Sequence, residues 1–242
     1  MSVLSDKIIV ALDVPTKEDA LAIVDELGDQ VGAYKIGMQL YNACGPEILE
    51  EVYKRNGKVF LDLKFHDIPN TVSSAARVVA DLGVFMFNVH ASGGSAMMKA
   101  AAEALTEEAA KLGKEKPLLI GVTVLTSMSE DELQGEIGVS REMKEQVAAL
   151  AKLAKASGLD GVVASPQETK IIREVCGDDF IIVTPGIRPA DASVDDQKRI
   201  KTPKDAVEDG ADYLVIGRPI TKAENRSAAV KAIVTDMENA IK

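Results

Sequence analysis

The sequence lacks the cysteine spacing of a metal site or a disulfide framework. Cys44 and Cys176 are its only cysteines, and no CxxC or Cys/His pattern surrounds either. They read as reduced structural thiols, the state that cysteines keep in the cytoplasm. Positive charge is the minority sign, with 28 basic residues against 38 acidic ones and a formal charge of −10. That balance argues against general affinity for nucleic acid or an anionic membrane, yet leaves room for a local basic site that holds a phosphate. Long apolar runs are missing too, none approaching the roughly 18 residues a membrane helix needs. The opening stretch MSVLSDKIIVALDV goes straight from a short polar lead into a strand-like run, with no signal peptide. Two histidines, His66 and His90, show no HExxH-like spacing, so structural or supporting roles fit them better than metal ligation. These absences predict a soluble cytoplasmic protein with neither nucleic acid nor membrane as partner.

What is present is a regular alternation. Eight short β-branched runs recur: KIIVALD (7–13), GAYKIG (32–37), KVFLDLK (58–64), VFMFNVH (84–90), PLLIGVTVL (117–125), LDGVVA (159–164), DFIIVTP (179–185) and ADYLVIG (211–217). Between them lie segments with apolar residues at three-to-four spacing, such as KEDALAIVDELG and SREMKEQVAALAKLAKASG. Short apolar strands without clean alternation indicate a parallel sheet buried on both faces. Eight units of about 30 residues favour closure into a (β/α)8 (TIM) barrel, an α/β fold, over a doubly wound open sheet. The chain is 46% hydrophobic, enough for one sizeable core, and no Gly/Ser-rich or Pro-rich linker interrupts it, so residues 1–242 are expected to form one domain. The connection GIRPADASVDDQKRIKTP (186–203) is long for such a unit and is expected to act as a lid.

In a barrel of this kind chemistry belongs at the carboxyl ends of the strands. The polar residues fall there: Asp13 after run 1, Lys35 in run 2, Asp62 and Lys64 in run 3, Thr126 after run 5, Arg188 after run 7, Gly217 and Arg218 after run 8. Any one of these could be a solvated loop charge, but their joint placement at one end favours a site. The densest part is FLDLKFHDIPNTV (60–72), which sets Asp62, Lys64 and Asp67 within six residues. Side chains two apart on a strand share a face, so Asp62 and Lys64 are expected to point the same way. Burying two carboxylates around an ammonium for stability alone is unfavourable, because desolvation can exceed the Coulombic gain. A ligand whose charge changes during reaction explains the cluster better. In VIGRPI (215–220), Gly-Arg-Pro between a strand and a helix suits an anion, with close backbone approach and a guanidinium for bidentate bonds.

These motifs closely resemble the orotidine 5′-phosphate decarboxylase family. DLKFHDIPNTV is its most specific signature. ALDV (11–14), YKIG (34–37), NVHASGG (88–94), VTVLTSMS (122–129), TPGIRP (184–189), DQKRIKTP (196–203) and YLVIGRPI (213–220) follow the family's pattern in order. The resemblance implies a carboxy-lyase that converts orotidine 5′-monophosphate to uridine 5′-monophosphate and CO2 in pyrimidine synthesis, without metal or other cofactor. It implies a stand-alone form lacking a fused orotate phosphoribosyltransferase domain. Asp62, Lys64 and Asp67 would form a charged array with Lys35, and Lys64 would be the proton donor. The protein would be a homodimer in which Asp67, Ile68 and Thr71 reach the partner's site. Asp13 and Lys35 would meet the ribose hydroxyls, Ser129 and Thr126 the pyrimidine edge, and Gln197, Arg218 and the Gly217 amide the phosphate. Arg188 and Pro185 would belong to the closing loop. A rival within the same suprafamily is 3-hexulose-6-phosphate synthase, which shares DxKxxD but uses a divalent metal; IPNT after Asp67 and GIRP with DQ favour the decarboxylase. A non-catalytic phosphosugar- or nucleotide-binding barrel is the rival from another class, disfavoured by the intact Asp62, Lys64 and Asp67.

Overall fold

The computed structural model describes residues 3–189 and 199–240. Eight parallel strands close on themselves in sequence order, β1 (Ile8–Ala11), β2 (Ala33–Gly37), β3 (Val59–Phe65), β4 (Met86–His90), β5 (Leu118–Val122), β6 (Gly161–Val163), β7 (Ile181–Thr184) and β8 (Tyr213–Ile216). β8 returns to pair with β1, Val10 opposite Ile216, so no strand edge is left open. Each of the eight expected runs coincides with one strand, shorter by one or more residues in seven cases and running one residue further, to Phe65, in β3, and the open-sheet alternative is excluded.

Closure follows from where the apolar side chains go. Ile9, Ala33, Phe60, Met86, Ile120, Val183 and Val215 point inward and fill the barrel. Their strand neighbours Ile8, Val10, Tyr34, Ile36, Val59, Leu61, Phe87 and Leu214 point outward into a separate core shared with the helices. A strand buried on both faces has no polar face to alternate with, which is why the runs read as continuously apolar. Gly161 marks a tight point: a Cβ there would lie 2.2 Å from the Ile181 carbonyl oxygen.

The outer layer contains α1 (Lys17–Leu27), α2 (Met38–Cys44), α3 (Glu47–Tyr53), α4 (Pro69–Leu82), α5 (Gly94–Leu112), α6 (Met143–Ala156), α7 (Thr169–Cys176), α8 (Pro203–Glu208), α9 (Arg218–Thr221) and α10 (Arg226–Glu238). Their starts are chemically marked. Thr16, Thr202 and Asn225 each accept a first-turn N–H, from Asp19, Asp205 and Ala228. α4 and α8 begin on Pro69 and Pro203, whose missing N–H costs nothing there. Two features were not anticipated. β2 is followed by two short helices broken at Gly45, and a π-helical turn, Glu132–Glu136, precedes α6. No helix among the described residues is long and apolar enough to cross a membrane.

The middle of the expected lid 186–203, residues 190–198, lies outside the described residues, but its two stems are described. Ile187 bridges to Lys201, and the Arg188 N–H donates to the Lys201 carbonyl at 3.0 Å. Arg199 is buried and pairs with Glu168 after β6 at 2.7 Å, while its second η nitrogen donates to the Leu125 carbonyl after β5 at 2.9 Å. One guanidinium therefore ties three loops together at the carboxyl end of the barrel.

Candidate active site

At that end a cavity of about 550 Å³ opens, lined by residues from all the strands it crosses, among them Asp13, Lys35, Asp62, Lys64, Asn88, Thr126, Pro185, Arg188, Gly217 and Arg218. The inward positions of β1 to β4 change from apolar to polar as each strand rises: Ile9 and Ala11 give way to Asp13, Ala33 to Lys35, Phe60 to Asp62, and Met86 to Asn88. The barrel thus carries a dry floor beneath a charged chamber.

Four of the charged side chains form a line of alternating sign. Lys35 Nζ sits 3.0 Å from Asp13 Oδ1 and 3.2 Å from Asp62 Oδ2. Asp62 Oδ1 in turn accepts from Lys64 Nζ at 2.6 Å. Burial works against the charged form of Lys35, but Asp62 and Asp13 outweigh it and hold the ammonium above its ordinary range. For Asp62, burial raises the carboxyl, and the opposing charges of Lys35 and Lys64, with hydrogen bonds from Lys64 and Asn88, bring it below the usual carboxylate value. The line is therefore ionised along these two members through the physiological range. Gly37, two residues after Lys35 on the same face, leaves the ammonium its place, since a Cβ there would lie 3.1 Å from Lys35 Nζ.

Asp62 and Lys64 meet as the sequence suggested, although not through a regular pleat. Between Leu61 and Phe65 the register of β3 slips: these residues pair with Phe87 and Val89, so three residues of β3 face the single residue Asn88 of β4. Lys64 carries φ +54°, a left-handed conformation rare for a residue with a long side chain. Asn88 spans the slip. Its Oδ1 accepts the Lys64 N–H at 2.8 Å and its Nδ2 donates to Asp62 Oδ1 at 2.7 Å. Sequence reasoning quoted Asn88 within NVHASGG without giving it a role. The signal was available, because an amide inside the run Met86-Phe87-Asn88 is a buried polar group that needs partners.

The remaining expected residues divide. Thr126 and Pro185 line the cavity, and so do Arg188, Gly217 and Arg218, joined by Thr221 and Lys222, which the sequence reading had not singled out. Arg188 is buried, with one η nitrogen donating to the Ile187 carbonyl at 2.9 Å. Ser129 stands outside the lining: it forms a reciprocal cap with Glu132, its hydroxyl donating to the carboxylate at 2.7 Å and accepting the Glu132 N–H at 3.3 Å. Gln197 lies outside the described residues. Asp67 does not join the array within the chain; it is exposed, and its carboxylate accepts the Ile68 N–H at 2.6 Å. Ile68 and Thr71 are exposed beside it. His66 and His90 stack with ring centroids 5.5 Å apart, and burial, with the charges of His66 and Lys64, lowers the pKa of His90. Among the described residues no group of three or more His, Cys, Asp or Glu side chains is placed to hold a metal ion.

Chemically, the chamber offers an ammonium fixed between carboxylates, and two arginines, Arg188 and Arg218, belong to the same lining. Such a site can bind an anion at one end and neutralise developing negative charge at the other. Comparison with known proteins agrees with this chemistry. A family model described as orotidine 5′-phosphate decarboxylase / HUMPS family matches residues 6–233. The orotidine 5′-phosphate decarboxylase of Moorella thermoacetica is 54% identical over 233 residues, covering 96% of this chain and 92% of the relative. That of Vibrio parahaemolyticus is 52% identical over 230 residues, covering 95% and 97%. The crystal structure of orotidine 5′-phosphate decarboxylase from Lactobacillus acidophilus superposes with a TM-score of 0.84 at 44% identity, covering 95% of this chain and 98% of its own. Similarity of this extent and degree makes the chain a member of the orotidine 5′-phosphate decarboxylase / HUMPS family.

Proposed function

We propose that the protein decarboxylates orotidine 5′-monophosphate to uridine 5′-monophosphate and CO2, with Lys64 supplying both charge and proton. The observation that carries the reading is the alternating line Asp13, Lys35, Asp62, Lys64 in a cavity large enough for a nucleotide. Breaking the C6–carboxylate bond leaves its electron pair on an sp² carbon that cannot pass the charge to a neighbouring carbonyl. The Lys64 ammonium stands where that pair appears, then transfers a proton to C6 and is reprotonated from solvent. Asp62 lies beside the departing carboxylate, and its bond to Lys64 Nζ fixes the donor's position.

The rest of the nucleotide would be gripped away from the reacting carbon. Asp13 and Lys35 meet the ribose hydroxyls, Thr126 and Ser129 the pyrimidine edge, and Arg218, the Gly217 N–H and Gln197 the phosphate, with Arg188 and Pro185 beside them. The presence of Arg218 in the cavity lining, with Gly217 before it and Arg188 also in that lining, supports the phosphate assignment. The protein works as a homodimer in which Asp67, Ile68 and Thr71 complete the partner's site; the exposure of all three at the mouth of the barrel supports this. Mixing the protein with orotidine 5′-monophosphate should erase the substrate's absorbance while uridine 5′-monophosphate accumulates, with EDTA present or absent. Binding without turnover would make the protein a nucleotide-binding barrel, and loss of activity with EDTA would favour the metal-dependent sugar-phosphate chemistry.

A further inference from the structure

We propose that Asn88 is the positioning residue of the charged array: one buried amide holds the Lys64 backbone in its left-handed turn and the Asp62 carboxylate against the Lys64 ammonium. This deepens the decarboxylase reading and rests on it. The side chain is 1% exposed, and both ends of its amide are used. Oδ1 takes the Lys64 N–H at 2.8 Å, and Nδ2 gives to Asp62 Oδ1 at 2.7 Å, the same oxygen that accepts Lys64 Nζ at 2.6 Å. The polarity is imposed, since the N–H requires an acceptor and the carboxylate a donor.

The slip in β3 explains why a side chain does this. Leu61 pairs with Phe87 and Phe65 with Val89, so the ladder has no backbone partner to offer across Asp62, Leu63 and Lys64. The Asn88 amide substitutes for it. Only two described non-glycine residues have positive φ, Asn56 and Lys64, and Asn tolerates that region where Lys does not. A lysine there persists only when its surroundings over-determine it. The amide therefore sets where the ammonium meets the substrate by acting through the Lys64 backbone and the Asp62 carboxylate.

Asn88→Ala and Asn88→Asp test this. Asn88→Ala removes both bonds and should lower kcat at least tenfold, with KM and the affinity for uridine 5′-monophosphate changed less than threefold, because the phosphate contacts remain. Asn88→Asp is nearly isosteric and keeps the acceptor for the Lys64 N–H, so it serves where the alanine variant fails to fold. Protonated, the introduced carboxyl donates to Asp62 as the amide does; ionised, it sets a second negative charge against Asp62. The titratable groups around it are Asp62 and Lys64 on β3, Lys35 on β2 beyond Asp62, and His90 at the end of β4 with its ring neighbour His66 after β3, whereas β5 presents Ile120. Its kcat should therefore fall as pH rises and recover toward wild type on acidification. A kcat within twofold of wild type in Asn88→Ala, or in Asn88→Asp at high pH, overturns the proposal, and so does a deficit constant with pH that KM shares. Absence of turnover in the wild type would sink the decarboxylase reading instead. The crystal structure of Asn88→Asp at high pH would then decide the positioning: Lys64 retained at positive φ with Nζ on Asp62 overturns it.

Discussion

Lys64 sits in a conformation that costs an L-residue about 1–2 kcal/mol, at the position where the proposed chemistry needs an ammonium. Both Lys64→Ala and Lys64→Gly lose the amine, but only glycine relieves the backbone. We expect both to lose turnover by about a hundredfold or more, the scale of a positioned proton donor. Lys64→Gly should be more stable to urea than Lys64→Ala by about 1 kcal/mol. A loss of only a few-fold in kcat would remove Lys64 as the donor. Arg218→Ala addresses the proposed phosphate contact: KM for the nucleotide should rise at least about tenfold if its charge-assisted bonds reach the phosphate, and an unchanged KM in steady-state assays would misplace that contact. Asp62 has a folded-state pKa below its ordinary value. The stability it contributes is present above the unfolded value of about 3.9 and is lost as pH falls through the folded value. The denaturation midpoint should therefore drop on acidification below about pH 4 more steeply in wild type than in Asp62→Asn. Lys35, shifted upward, has the opposite sign, contributing below the unfolded lysine value and losing that contribution as pH rises through the folded one.

At the scale of elements, the strands do two jobs with one alternation, packing the barrel on one face and the helix layer on the other. Their carboxyl ends are free to carry charge because the inward positions below, such as Phe60 and Met86, already close the floor. Gly161 shows how tight the closure is. Gly161→Val would drive a side chain into the Ile181 carbonyl, 2.2 Å from the Cβ position, and should destabilise by about 1–3 kcal/mol, read as a lowered Tm; a Tm equal to wild type would mean β6 and β7 can part. Much of this level was legible in the sequence. KIIVALD and ADYLVIG read as strands because eight short apolar runs cannot all be exposed. The π-turn before α6 was not read from the sequence, and the break at Gly45 was passed over although the Gly45-Pro46 pair is a local stop signal.

For the whole molecule, the question is whether one chain holds a complete site. Asp67 is exposed and its carboxylate is taken up by the Ile68 N–H rather than by the charged line, while the proposed homodimer would bring it to the partner's site. Mixing subunits of Lys64→Ala with subunits of Asp67→Ala, each inactive alone, would create one intact site in each mixed dimer. Random exchange should restore about a quarter of wild-type activity in a two-fold dimer, and no recovery after exchange would place the site within a single subunit.

The amino-acid order alone determined the eight-unit alternation, the presence of acid and amine at strand ends, and the family resemblance, because periodicity and strand-end chemistry are properties of short stretches. The tertiary structure decided how those groups meet. The slip in β3, the left-handed turn at Lys64 and the two-ended role of Asn88 depend on a strand 24 residues away in sequence. The tie of Arg199 to Glu168 likewise joins segments 31 residues apart. A hydrogen bond between distant segments exists only once both are placed, and no pattern along the chain records which way a buried amide must turn.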